Sequence, residues 1–235
     1  MTVLVWFAHS RKYNIFYCPF TIEFPMNIEK LKVGPLQTNC YILIEDKRCI
    51  VIDAGGDQDT IITFLEKRDI KPELILATHG HFDHILSVSA IKSKYGAQFL
   101  ISKKDTEIVK GFEQFVERYV GIDPGLTPVP DDYIENDETI KLGDNSIRVV
   151  ETPGHTPGSC SFIVGDNIFT GDFIFKGTIG RTDFGGSNSD MMSSIEWAKK
   201  LDSDFVLYPG HGDSTTLENE KRNNPFFRGH SPGGK

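Results

Sequence analysis

Apolar positions along the chain fall into short runs, and the spacing inside each run separates strands from helices. From Met26 the first three runs, Ile28 to Val33, Cys40 to Glu45 and Arg48 to Asp53, alternate or are continuously apolar and are separated by turn residues. They predict an antiparallel meander. Asp57 then precedes Thr60 to Leu65, where apolar residues at 61, 62 and 65 predict an amphipathic helix closing near Asp69. Leu74 to Ala77 predicts a strand, Leu86 to Tyr95 a helix, Gln98 to Ile101 a strand and Lys104 to Tyr119 one long helix. Gly121 to Pro130 holds three prolines and two glycines and reads as a loop. Four more strands follow at Thr139 to Lys141, Ile147 to Glu151, Ser161 to Val164 and Asn167 to Thr170, and a further apolar strand runs from Val206 to Tyr208. Each half of the chain runs strands first and then a helix. That order predicts an α/β fold in which two sheets pack face to face with helices outside, an αββα sandwich.

Composition narrows the class. The 235 residues fit one domain with a full core, here 26–235, preceded by an extension, 1–25, of uncertain role. Apolar residues at 39% and charged residues at 25% are ordinary for a globular protein. The net charge of -8 argues against a nucleic-acid partner and against bulk attraction to acidic membranes. No run approaches the ~18 apolar residues of a membrane span. Val3 to Ala8 is a six-residue run without a basic segment before it, a poor signal peptide. Cys18, Cys40, Cys49 and Cys160 form no Cys-x-x-Cys pair, so the expected location is a reducing cytoplasm.

The chemistry concentrates in Thr78-His79-Gly80-His81-Phe82-Asp83-His84, directly after the apolar run Leu74 to Ala77. If the segment is extended, His79 and His81 leave it on the same side and can reach one ion. Asp83 and His84 follow once the chain turns, and can serve a second ion nearby. Three more candidates sit at turns after apolar runs: His155 between two Pro-Gly pairs, Asp172 behind Gly171, and His211 behind Pro209-Gly210. His9 and His230 lack such settings and read as surface residues.

His-x-His-x-Asp-His followed by Gly-His, Gly-Asp and Gly-His resembles the metallo-β-lactamase superfamily, over Met26 to about Phe227. The resemblance implies that His79, His81 and His155 hold one divalent metal ion, that Asp83, His84 and His211 hold a second, and that Asp172 bridges both. Zinc suits the mixed nitrogen and oxygen set, and iron or manganese are compatible with it. True β-lactamases lack the bridging aspartate, which implies an activity other than antibiotic hydrolysis. Gly171 to Phe184 is similar to the glyoxalase II group, hydroxyacylglutathione hydrolases and their short relatives, as is Asn224-Pro225-Phe226. Two ions about 3.5 to 4 Å apart can share one hydroxide and polarise a carbonyl, so thioester hydrolysis of a small-molecule substrate is the expected reaction. In that scheme Asp83 orients the nucleophile.

The longer enzymes of that group carry a C-terminal helical domain that grips glutathione, and this sequence ends soon after the shared region. Arg181 falls where they contact the glutathione tail. It has two readings, that contact or an ion pair with Asp183. A rival resemblance, to mononuclear iron persulfide dioxygenases, implies His79, His155 and Asp172 around one iron. A nucleic-acid-processing or non-catalytic member of the superfamily ranks below both, since no ligand is missing and the charge is acidic.

Overall fold

A computed structural model describes residues 26–230. The proposed extension, 1–25, and His9 within it lie outside the described residues. Along the chain run β1 (Asn27–Val33), β2 (Thr38–Glu45), β3 (Arg48–Ile52), α1 (Gln58–Lys67), β4 (Lys71–Leu76), α2 (Phe82–Ile85), α3 (Val88–Tyr95), β5 (Gln98–Ser102), α4 (Thr106–Lys110), α5 (Phe112–Tyr119) and β6 (Asp132–Ile134). The second half adds β7 (Thr139–Leu142), β8 (Asn145–Glu151), β9 (Cys160–Val164), β10 (Asn167–Gly171), β11 (Ile174–Phe175), β12 (Thr178–Ile179), α6 (Asn188–Lys199), β13 (Val206–Pro209), β14 (Thr215–Thr216) and α7 (Leu217–Asn223).

Twelve strands form two six-stranded mixed sheets, ordered β1-β2-β3-β4-β5-β6 and β14-β13-β10-β9-β8-β7, and β11 pairs with β12 in a separate two-stranded ribbon. In the first, β1 to β3 are the expected antiparallel meander, and β3 to β6 continue in parallel. The alternation seen in the sequence sorts each strand's side chains to two cores. Cys40, Ile42, Cys49 and Val51 face Ile61, Leu65, Val88, Ile91 and Val116 of the helices on the outer face. Their neighbours Tyr41, Leu43, Ile50 and Ile52 face Ile147, Val149, Phe162 and Phe169 of the second sheet. The outer face of that sheet, through Ile168 and Leu207, packs on Met191, Ile195 and Ala198 of α6 and Leu217 of α7. The result is the expected αββα sandwich.

Two expectations are corrected. The single helix over Lys104 to Tyr119 is instead a 3-10 turn, Lys103–Asp105, followed by α4 and α5, with the break at Gly111. The high helix propensity of the segment gives way there to a glycine with φ near -80° and ψ near 0°, a residue that ends one helix and begins the next. The histidine loop is not an extension of β4 either. The strand ends at Leu76 and the chain bends at Thr78 and His79, so the pleat does not bring His79 and His81 together. Other groups hold that bend.

Candidate metal centre

The ligand candidates lie beyond the C-terminal ends of β4, β8, β10 and β13, and the two sheets bring those ends to one edge. All seven converge there. The donor atoms of His79, His81 and His155 lie within 4.8 Å of one another, as do those of Asp83, His84 and His211 and those of His79, His84 and Asp172. His81 Nδ1 is 2.8 Å from His155 Nε2. His211 Nε2 is 3.1 Å from Asp83 Oδ2, which lies 3.5 Å from His84 Nε2. Asp172 turns one oxygen to each set: Oδ1 is 3.4 Å from His84 Nε2, and Oδ2 is 3.5 Å from His155 Nε2.

Glycines permit this crowding. A Cβ on Gly210 would lie 2.4 Å from Asp172 Oδ1 and 2.6 Å from His84 Cε1, so the bend before His211 passes directly between two ligands. Gly171 adopts φ 50° and would meet Thr78 Oγ1 at 2.3 Å with any side chain. The Gly-Asp and Gly-His pairs of the sequence are therefore steric requirements of the site.

Three histidines have their ring orientation set from behind. His155 Nδ1 donates to the Arg181 carbonyl at 2.7 Å, and a carbonyl only accepts, so the Nε2 lone pair is left toward the cluster. His84 Nδ1 lies 2.9 Å from Asp53 Oδ2. Thr78 Oγ1 donates to Asp53 Oδ2 at 2.8 Å and sits 3.1 Å from His79 Nδ1, which favours the same tautomer in His79. Asp53 also accepts from the Thr78 backbone N–H at 2.8 Å, and this fixes the bend. It adopts φ 57°, uncommon for a residue with a Cβ. Sequence reasoning placed Asp53 only at the end of a strand. The signal was present, since it ends the apolar run Cys49 to Ile52 ahead of Ala54-Gly55-Gly56, the device that also marks Asp172.

Electrostatics complete the donor set. Burial, reinforced by the charge of His84 and His155, holds the His79 pKa well below 6.5. Burial and the neighbouring His155 lower His81 to about 4. Burial opposes ionisation of Asp83 and Asp172, but the adjacent histidines, His84 foremost, outweigh it and keep both carboxylates below their usual range. Burial likewise opposes a charge on His84, and Asp53, Asp83 and Asp172 outweigh it and raise its pKa. At neutral pH the cluster thus offers ionised Asp83 and Asp172 beside neutral His79 and His81, while the carboxylates around His84 favour its protonated form until a cation replaces the proton.

A divalent metal fits these residues. His79 Nε2, His84 Nε2 and Asp172 Oδ1 are buried polar atoms with no hydrogen-bond partner among the described residues, and such atoms are costly unless something else satisfies them. All three face the cluster. His211, with its side chain 28% exposed against 0% for His84, marks the open side.

One sequence candidate, Arg181, stands apart from the cluster. The Arg181 guanidinium is exposed and makes a bidentate pair with Asp183, Nε to Oδ1 at 2.6 Å and Nη2 to Oδ2 at 2.5 Å, so the ion-pair reading describes its side chain. His230 is exposed and lies 3.1 Å from the Pro225 carbonyl, as a surface histidine would. A cavity of about 600 Å³ between α1, α3 and the 123–126 loop is lined by none of the seven ligand candidates. Donor chemistry, not cavity size, marks the site.

Comparison with known proteins agrees with the geometry. The chain is 35% identical over 213 residues to hydroxyacylglutathione hydrolase GloC of Haemophilus influenzae, an overlap of 88% of this chain and all of that protein. The crystal structure of BLEG-1 B3 metallo-beta-lactamase superposes with a TM-score of 0.80 at 32% identity, covering 86% of this chain and 100% of that one. That of TTHA1623 in a di-iron-bound form superposes with a TM-score of 0.77 at 29% identity, covering 84% and 99%. No helix among the described residues is long and apolar enough to cross a membrane. The family model of the metallo-beta-lactamase superfamily matches residues 33–211, and the chain belongs to that superfamily.

Proposed function

We propose that the chain is a dinuclear metallohydrolase that cleaves small-molecule thioesters of the hydroxyacylglutathione type. One observation carries the reading: Asp172 faces His155 with one oxygen and His84 with the other, and so joins two ligand sets. His79, His81 and His155 form the first set, and Asp83, His84 and His211 the second. Zinc is the assigned metal, and a relative with two irons supports a site that also accepts iron. Ions held there would supply an ionised water at neutral pH and polarise a carbonyl.

The chain's own residues do the rest. Asp83 is ionised and already accepts from Thr38 Oγ1 at 3.2 Å, and we assign it to orient the attacking water. A thiol of pKa near 8.5 leaves as thiolate without help, so no serine, cysteine or general acid is needed. Glutathione as the thiol is supported by the likeness to GloC. Arg181 would have to exchange Asp183 for a substrate carboxylate, and the expected outcome is turnover of S-D-lactoylglutathione with a weak KM.

The likeness to a protein named B3 metallo-beta-lactamase sets β-lactam cleavage beside the persulfide-dioxygenase alternative, and the place of Asp172 between the two ligand sets weighs against it. Metal-loaded protein is to be assayed in parallel on S-D-lactoylglutathione, other small thioesters, a β-lactam, and glutathione persulfide with oxygen uptake. The account expects thioesters to be the best substrates. A β-lactam turned over while thioesters stand would overturn it, and so would persulfide-dependent oxygen uptake without hydrolysis.

A further inference from the structure

A second carboxylate, besides Asp53, stands behind the cluster without belonging to it. Asp105, fully buried, ends the 3-10 turn that follows β5. Its Oδ2 accepts from the Gly80 N–H at 2.8 Å and from Thr156 Oγ1 at 2.7 Å, and its Oδ1 accepts from the Gly158 N–H at 2.7 Å. Gly80 is the residue between His79 and His81. Thr156 directly follows His155, and Gly158 lies three residues beyond it. One side chain therefore ties together the two loops that carry the first ligand set, across separations of 25, 51 and 53 residues.

The fit is close on both sides. A Cβ on Gly158 would lie 2.6 Å from Asp105 Cγ and 2.6 Å from Oδ1, and one on Gly80 would lie 3.1 Å from Asp105 Cβ. A buried carboxylate costs stability unless its oxygens are filled with donors, and here two backbone amides and a hydroxyl fill them. Asparagine has the same shape but would turn an NH2 group against one of those donors. The second set is braced differently. Asp53 stands behind His84, and Thr38 donates to Asp83. Asp105 makes no hydrogen bond to Asp83, His84 or His211.

We propose that Asp105 is a positioning residue for the first metal set, its carboxylate fixing the separation between the His79-Gly80-His81 loop and His155. The assignment rests on the dinuclear reading, and its test reads metal binding rather than turnover.

Apoprotein of wild type, Asp105→Asn and Gly158→Ala is to be titrated with Co2+ alone, followed by its visible absorption and by calorimetry. Each variant is also made in a His211→Ala background, which removes a second-set ligand and leaves the first set to be read by itself. In both variants the first-set Co2+ affinity should fall by roughly 10- to 100-fold, as for other groups that orient metal ligands from behind. The second-set affinity and the far-ultraviolet circular dichroism should hold. Gly158→Ala keeps the charge of Asp105 and displaces its carboxylate, so agreement between the variants assigns the effect to position. Unchanged first-set affinity in both would overturn the proposal, and so would an equal loss at both sets with a lowered apoprotein Tm. A wild type that binds one Co2+ overturns the dinuclear reading instead. The role of Asp105 is then decided by whether Asp105→Asn weakens that single ion.

Discussion

At the scale of single residues, the site depends on what is missing as much as on what is present. Gly210 has no Cβ because one would displace the Asp172 carboxylate and the His84 ring. Gly210→Ala should therefore weaken metal binding by roughly 10- to 100-fold while leaving the core intact. Elemental analysis after dialysis, beside an apoprotein thermal melt, checks this, and a variant with full metal content and wild-type affinity would show that the bend has slack the contacts do not reveal. The seven candidate ligands that the fold brings together were legible in the sequence because each is a ligand-type side chain placed after an apolar run and beside a turn signal. Asp53 and Asp105 were not. Their role passes through backbone N–H groups and hydroxyls 25 or more residues away, and a linear pattern does not show which loops meet. Arg181 shows the opposite case: a local partner two residues on, Asp183, was visible, and the side chain pairs with it.

At the scale of elements, periodicity served the sheets better than the helices. Strands such as β2 and β3 carry one set of residues to each core, and that alternation is written directly in their sequences. The helix expected in the second half is given no bounds by the sequence pattern, although Met191, Ile195 and Ala198 of α6 recur at helical spacing and Ser187 caps it by accepting from the Asp190 N–H. The stretch Gly185-Gly186-Ser187 before it reads as loop, and Ser194 interrupts the apolar face. The short β11, β12, β14 and α7 lack enough residues for any period to emerge. Buried Glu220 holds that region by accepting from Asn224 Nδ2 at 2.9 Å and, across 43 residues, from the Gly177 N–H at 2.8 Å, a contact of tertiary origin. The histidine loop teaches the same lesson. Its two first histidines do meet, through a bend held by Asp53 and Asp105 and not through a strand's pleat.

At the scale of the whole molecule, two sheets with their own helices meet at an edge where both contribute ligands, so the fold and the site are one construction. The recognisable sheet begins at Asn27, and no described ligand precedes it. We therefore expect a chain starting at Met26 to fold and to keep its metal. A loss of solubility, or a Tm lower by more than the roughly 4 °C that 1 kcal/mol can cause at this size, would place residues 1–25 within the domain. The central claim is that two ions act together across Asp172, and the most direct test is metal stoichiometry with thioesterase rate in wild type and His211→Ala. The account predicts two ions per wild-type chain, one in the variant, and a kcat lower by on the order of 100-fold or more with unchanged circular dichroism. One ion in both proteins, with thioester turnover unaffected by the loss of His211, would contradict it.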